Sequence, residues 1–255
     1  MDIAARLCSV LVKNTIAKGI YDIWVEYPEA IKVKSGEFVN VKCDSFTLRR
    51  PISVCEIDRI NGRIRLVIET RGRGTDWLSK VDVGENLDIL GPLGNGFNLG
   101  NTSRHAVFVG GGIGVPPLLE AAKPFGGNAD IILGFRNAQV MILKEDFERA
   151  GCHVRIVTDD GSAGEKGLIT TPLKAALDAS PCDVIFACGP RPMLIAVSDE
   201  ALKRGIPCFV SMEERMACGI GACLSCACKV NIEGREQYLH VCKNGPVFDV
   251  KRIIW

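Results

Sequence analysis

The chain has 255 residues, room for two domains and a small appendage, and its 47% hydrophobic and 24% charged residues exclude an intrinsically disordered protein. A formal net charge of +1 leaves no electrostatic footprint for nucleic acid or an anionic membrane surface. No apolar run reaches the roughly eighteen residues that a spanning helix needs, so no membrane association is expected.

The opening stretch "MDIAARLCSVLVKN" lacks a basic start, an apolar core and a small-residue cleavage site, so no signal peptide is expected. Twelve cysteines then point to the reducing cytoplasm, where clustered thiols bind metal more often than they form disulfides. Cys8, Cys43, Cys55, Cys152, Cys182 and Cys208 stand in apolar or strand-like contexts and read as small core hydrophobes.

Residues 1–99 read as an antiparallel β-barrel or sandwich. Short β-branched runs such as "GEFVNVKC", "PISVCEID" and "GRIRLVIETRG" alternate with Gly, Pro and Asn, and Asn61-Gly62 is a hairpin turn. Within this segment "LRRPISV" sets two arginines beside a proline and a serine. A guanidinium can hold a phosphate bidentately and a hydroxyl can complete the cradle. "RGRGTDW" allows the close backbone approach that a flat ring or phosphate needs. Either stretch alone also reads as a solvated turn.

Residues 100–210 change rhythm. "HAVFVG", "ADIILGF", "HVRIVT", "DVIFACG" and "IPCFV" are continuously apolar strands, separated by helices in "VPPLLEAAKPF" and over 144–150, 171–179 and 190–204. That alternation predicts a parallel sheet covered on both faces, a nucleotide-binding α/β domain. "FVGGGIGVPPLL" places Gly110, Gly111, Gly112 and Gly114 where the first strand turns into a helix, a setting for a pyrophosphate. The literal dinucleotide fingerprint is not met, because Pro117 stands where its third glycine belongs. "TDDGSAGEKG" follows the third strand at its carboxyl end, where open parallel sheets bind ligands. There Asp159 and Asp160 would accept from ribose hydroxyls and repel a 2′-phosphate, favouring NAD over NADP. "CGPRPM", with Cys188, Gly189 and Pro190, ends the fourth strand and opens a helix.

Residues 211–255 break the pattern with "RMACGIGACLSCACKV". Cys218, Cys223 and Cys226 have the C-x4-C-x2-C spacing of plant-type [2Fe-2S] ligation, and Cys242 supplies the distant fourth thiol. Zinc is the rival, although zinc sites usually come as two C-x2-C pairs and Cys242 lacks a companion. A Rieske-type site needs two histidines, and only His240 is near. Cys228 is surplus; taking it as a ligand in place of Cys226 would break the short spacing.

The order of these pieces resembles the ferredoxin–NADP reductase superfamily: a barrel with "LRRPISV", "GRGTDWLS" and "GPLGNGF", an α/β domain with "GGGIGVPPLL", "TDDGS" and "CGPRPM", then a cysteine loop. "MEERMACGIGAC" and "VCKNGPVF" are the most specific stretches. They make the chain similar, end to end, to the electron-transfer subunits of the NAD-dependent, class 1B dihydroorotate dehydrogenases. The resemblance implies FAD held by Arg50, Pro51, Ile52 and Ser53, lined by Val67, Ile68 and Glu69, and closed over by Gly74 and Thr75. It implies NAD pyrophosphate at Gly110–Gly114, nicotinamide near Cys188, Gly189 and Pro190, and a cluster on Cys218, Cys223, Cys226 and Cys242. The extra Cys228 is not expected in the family. Superfamily members often end in an aromatic that stacks on the flavin, but this chain runs on into the cysteine loop, so the role does not pass to Trp255. The implied partner is an FMN-containing dihydroorotate dehydrogenase catalytic subunit, in a heterotetramer with two of each chain. Dihydroorotate would be oxidised on that partner, and no catalytic base for it is expected in this chain. The competing readings are an NAD(P)H–ferredoxin or sulfide reductase-type subunit, and a zinc-stabilised nucleotide-binding module.

Overall fold

A computed structural model describes residues 4–255. The first half-dozen strands are β1 (Ala4–Ala17), β2 (Ile20–Glu26), β3 (Phe38–Val41), β4 (Arg50–Asp58), β5 (Arg63–Glu69) and β6 (Asn86–Leu93). They close into an antiparallel barrel in the order β1-β2-β5-β4-β3-β6, which removes the free edges of an open sheet. β6 alternates buried and less buried residues along its length, the period-two signature of a strand with one face on a core. Ile23, Val25, Val39, Val41, Val54, Leu66, Ile68 and Ile89 fill the barrel. On β5 the intervening Val67 points outward and packs with the second domain. Asn61 and Gly62 lie in the β4–β5 turn, as their sequence predicts, with Gly62 at φ +61°. "RGRGTDW" adopts a short helix, α1 (Arg73–Leu78), because Thr75 Oγ1 accepts from the amides of Arg71 and Gly72 and ties the turn down.

The second domain follows its predicted alternation. β7 (Ala106–Gly111), β8 (Ala129–Phe135), β9 (His153–Thr158), β10 (Glu165–Lys166), β11 (Val184–Cys188) and β12 (Cys208–Ser211) form a parallel sheet. α2 (Pro116–Ala122) and α3 (Lys144–Arg149) cover one face through Leu118, Leu119 and Phe147. α4 (Thr170–Ala179) and α5 (Arg191–Arg204) cover the other through Leu173, Leu194 and Val197. β7 and β11 are buried along their whole lengths, which explains their uninterrupted apolar sequence.

The last segment is woven into this sheet. After the cysteine loop, β13 (Ala227–Ile232) and β14 (Arg235–His240) form a two-stranded hairpin. β15 (Val247–Asp249) then adds antiparallel to β12, giving the order β10-β9-β8-β7-β11-β12-β15. Cys226, Cys228, Val230, Val241 and Cys242 share one apolar core with the α4/α5 face of the sheet. A two-stranded hairpin is marginal alone, and burial against the α/β core is what stabilises it.

Barrel and α/β domain are clamped by charge. Arg65 on β5 is 8% exposed and reaches Asp22 of the barrel at 2.8 and 3.0 Å, Asp146 of α3 at 2.7 Å and Glu56 at 3.1 Å. Glu56 also takes Lys123 at 2.6 Å, and Arg59 reaches Glu120 of α2 at 2.8 Å. No helix among the described residues is long and apolar enough to cross a membrane.

Candidate functional site

In the sheet order β8 and β9 lie to one side of β7, while β11 and β12 lie to the other. The crevice at the carboxyl ends of β7 and β11 is therefore the topological switch point, the usual ligand position in an open parallel sheet. Gly110 and Cys188 are register partners there. Gly114 returns so close to β11 that a Cβ on it would lie 2.5 Å from the Cys188 carbonyl oxygen, so only glycine fits.

A cleft of about 350 Å³ opens at this point, lined by Gly111, Gly112, Gly114, Asp159, Gly189 and Pro190. Gly110 faces the core instead, against Val115, Leu118 and Leu133. The two aspartates part ways. Asp159 lines the cleft, whereas Asp160 accepts the Ser162 amide at 2.9 Å and its hydroxyl at 2.6 Å. Those two bonds hold the Asp160 carboxyl below its ordinary range.

A second cleft, of about 250 Å³, lies between the barrel and the α/β domain. β4 contributes Pro51, Ile52 and Ser53; β5 contributes Val67, Ile68 and Glu69; Thr75 closes one end, and Cys188 and Ser211 face them from the sheet. Arg50 and Gly74 stand outside its lining. The Arg50 guanidinium passes over Gly74, where a Cβ would collide with it, and lies 5.6 Å from the centre of the Phe46 ring, with Arg73 on the same ring at 5.1 Å. Among the described residues Arg50 pairs with no carboxylate, while its neighbour Arg49 is committed to Asp88 at 2.9 Å. An apolar slot with unpaired guanidinium groups at its rim suits a flat ring carrying a diphosphate.

The clefts share Glu69, Arg71, Ile113 and Glu213, so ligands in them would meet. Arg71 donates to Glu69 in this shared wall. Sequence reasoning gave Arg71, Ile113 and Glu213 no role of their own, although they stand inside stretches it singled out; the segments that follow β5, β7 and β12 bring them together. Glu213 is open to the cleft, yet the protein around it displaces enough water to hold its carboxyl above the usual range, opposed by Arg71 and reinforced by Glu69. Burial likewise pushes the Cys188 thiol up to about 12, so it is neutral at pH 7.

The strap from Ser211 to Met216 walls the second cleft and runs directly into the cysteine loop. Cys226 and Cys242 form a pair, their sulfurs 3.2 Å apart, too far for a disulfide. Gly221 donates its amide to the Cys242 sulfur at 3.2 Å, and Cys223 donates its amide to the Cys218 sulfur at 3.4 Å. Burial raises the Cys218 thiol, but the backbone amides of Ile220, Cys223 and Ala222 outweigh it and bring it down to about 6. Amides aimed at a thiolate fit an anionic sulfur ligand. Cys242, more enclosed and beside Cys226, is pushed up to about 12. Among the described residues no three His, Cys, Asp or Glu side chains converge on one ion position. Cys228 points away, into the core with Val230, and burial raises its thiol.

Two further observations fit a cluster in the loop. Gly219 has φ +74°, and a Cβ there would lie 2.3 Å from Asn40 Nδ2 of the barrel. Asn40 is 1% exposed, and neither polar atom of its side chain has a partner. An orphaned buried amide costs about 1–3 kcal/mol, so it signals a group that completes the site. Trp255 packs on the α/β core and lies against Arg191 at 5.9 Å, away from the lining of either cleft.

Comparison with known proteins agrees with this geometry. A family model described as the iron-sulfur cluster binding domain of dihydroorotate dehydrogenase B matches residues 213–254. A Geobacillus protein, dihydroorotate dehydrogenase B (NAD(+)), electron transfer subunit, is 40% identical over 96% of this chain and 97% of its own. The chain belongs to this family. The Streptococcus mutans protein of the same name is 39% identical over 96% of both chains. A solved structure of an NADH-dependent reduced ferredoxin–NADP oxidoreductase, a flavin-based bifurcating enzyme, superposes with TM-score 0.86 at 27% identity. It covers 99% of this chain and 91% of that one. The expected fold class, an antiparallel barrel followed by a parallel-sheet α/β domain and a C-terminal iron–sulfur domain, is borne out, as is the expected oxidoreductase electron-transfer subunit. The cofactor set of FAD, a [2Fe-2S] cluster and NAD agrees with the same findings.

Proposed function

We propose that this chain passes electrons from an FMN-bearing dihydroorotate dehydrogenase catalytic subunit to NAD+, in an assembly with two copies of each chain. The supporting observation is contiguity: the flavin-shaped cleft shares a wall with the nicotinamide-side cleft and, through Met216, adjoins the loop that begins at Cys218. FAD supplies the exchange between two-electron hydride chemistry and the one-electron steps of an iron–sulfur cluster. The residues of this chain bind, orient and exclude water.

In this reading Pro51, Ile52, Ser53, Val67, Ile68, Glu69 and Thr75 hold the flavin ring. Arg50, passing over Gly74, takes the diphosphate. Gly111, Gly112 and Gly114 receive the NAD pyrophosphate, Gly110 seats the turn behind them, and Asp159 accepts from a ribose. Gly189 and Pro190 would flank the nicotinamide, and the neutral Cys188 thiol lines the flavin-shaped cleft. Cys218, Cys223, Cys226 and Cys242 would hold the cluster. Exposed Ile220 and Leu224 beside these ligands provide an apolar rim for the catalytic partner.

The test is an anaerobic reconstitution with an FMN-containing dihydroorotate dehydrogenase catalytic subunit, reading dihydroorotate-dependent NAD+ reduction. Activity that requires both chains and scales with cluster content is expected. A yellow-brown chain that oxidises NADH but neither binds that subunit nor couples to dihydroorotate would overturn the partner and favour a ferredoxin- or sulfide-type reductase. The likeness to the ferredoxin–NADP oxidoreductase structure makes that the second reading.

A further inference from the structure

We propose that Asn40 is a positioning residue whose side-chain amide donates a hydrogen bond to the sulfur shell of the cluster and so raises its reduction potential. This rests on the reading of Cys218, Cys223, Cys226 and Cys242 as the cluster ligands.

The argument begins with strand periodicity. On β3, Val39 and Val41 point into the barrel core, so Phe38 and Asn40 point out on the other face. Phe38 lines the flavin-shaped cleft, and Asn40, one period along, meets the cysteine loop at Gly219. The backbone of Asn40 is already committed. It pairs in register with Pro51 on β4 and Leu90 on β6, and its carbonyl accepts from Arg49 Nη1 at 3.3 Å. Only the carboxamide is free, and both its atoms are buried without a partner.

Asparagine is a poor choice for a strand interior, and here it faces Gly219 of the loop, with Leu93 also against that glycine. A carboxamide kept there for packing alone would find a protein partner, as buried polar groups nearly always do. The loop itself supplies amides to the sulfurs, from Gly221 to Cys242 and from Cys223 to Cys218. From the barrel, Asn40 is the donor that abuts this loop. It is neutral, so it adds no charge to be compensated. One-electron reduction adds negative charge that the sulfurs share, and a donor to them stabilises the reduced form. One strand thereby touches both redox sites, with Phe38 at the flavin side and Asn40 at the cluster side.

The test is a potentiometric titration of the full-length chain, with the cluster followed by its EPR signal and the flavin by its absorbance. Asn40→Leu keeps the approximate shape and removes the donor. The expected result is a threefold to tenfold lower equilibrium constant for cluster reduction, the upper end being about 59 mV for one electron, with the flavin midpoint unchanged. Asn40→Val should lower it comparably, since it too lacks a donor. An unchanged cluster midpoint in either variant, or a shift confined to the flavin, overturns the proposal. A readout that requires no variant is hyperfine spectroscopy of the reduced wild-type cluster after labelling asparagine side chains with 15N. A coupling is expected, and its absence overturns the proposal even if both variants lose the cluster. A wild-type chain with no cluster signal would instead overturn the ligand assignment.

Discussion

The barrel meets the rest of the molecule along two seams with opposite polar character. At the Arg65 seam every charge has a counter-charge: Asp22, Asp146 and Glu56 surround one guanidinium, and Lys123 returns to Glu56. At the Asn40 seam a buried amide faces a glycine with nothing to bond. Saturated polar networks hold domains in place, while unsatisfied ones mark where something else belongs.

Breaking each seam should give a different phenotype. The largest effect is expected from Cys223→Ser, which removes a ligand and should abolish the cluster's visible absorption and EPR signal while the flavin stays bound. A normal spectrum would refute ligation by Cys223. Arg65→Met should leave the cofactors' spectra intact but cost about 3–5 kcal/mol in urea unfolding, because Asp22 remains buried without its partner while Asp146 keeps only Arg149. Replacing all three by apolar residues of matched volume should recover much of that loss. A wild-type midpoint for Arg65→Met alone would mean that the seam does not clamp the domains.

Smaller effects are expected in the nucleotide cleft. Asp159→Asn should raise the KM for NADH by about tenfold to a hundredfold and narrow the preference over NADPH, as loss of one charge-assisted hydrogen bond of roughly 1.5–3 kcal/mol implies. Equal use of the two nucleotides by the unmodified chain would remove this role. Asp160→Asn should change the KM by less than twofold, because that carboxylate is spent on Ser162. Arg50→Ala should lower flavin retention through gel filtration, and full occupancy would count against the phosphate contact.

The cysteine loop was legible because its ligand spacing is local: C-x4-C-x2-C and the small residues between are adjacent in the chain. The parallel sheet was legible for a similar reason, since strands buried on both faces must be continuously apolar. Pro51, Ile52 and Ser53 could be picked out beside Arg50, and the structure puts those three, but not the arginine, in the cleft lining. The short helix α1 escaped notice because Gly72 and Gly74 disguise it and Thr75, not propensity, holds it. Asp159 and Asp160 look equivalent in sequence, and only the turn made by Ser162 tells them apart.

By itself, then, the sequence determined the order of barrel, α/β unit and cysteine loop, together with the residue types able to bind flavin, nucleotide and iron. Those properties follow from periodicity and short-range spacing, which a chain carries before it folds. Tertiary structure alone decided that β15 returns to complete the α/β sheet, that Glu69, Arg71, Ile113 and Glu213 join the two clefts, and that Asn40 faces Gly219. Each of these pairs residues distant in sequence. Their proximity is set by how the barrel closes and docks, and no local pattern encodes it.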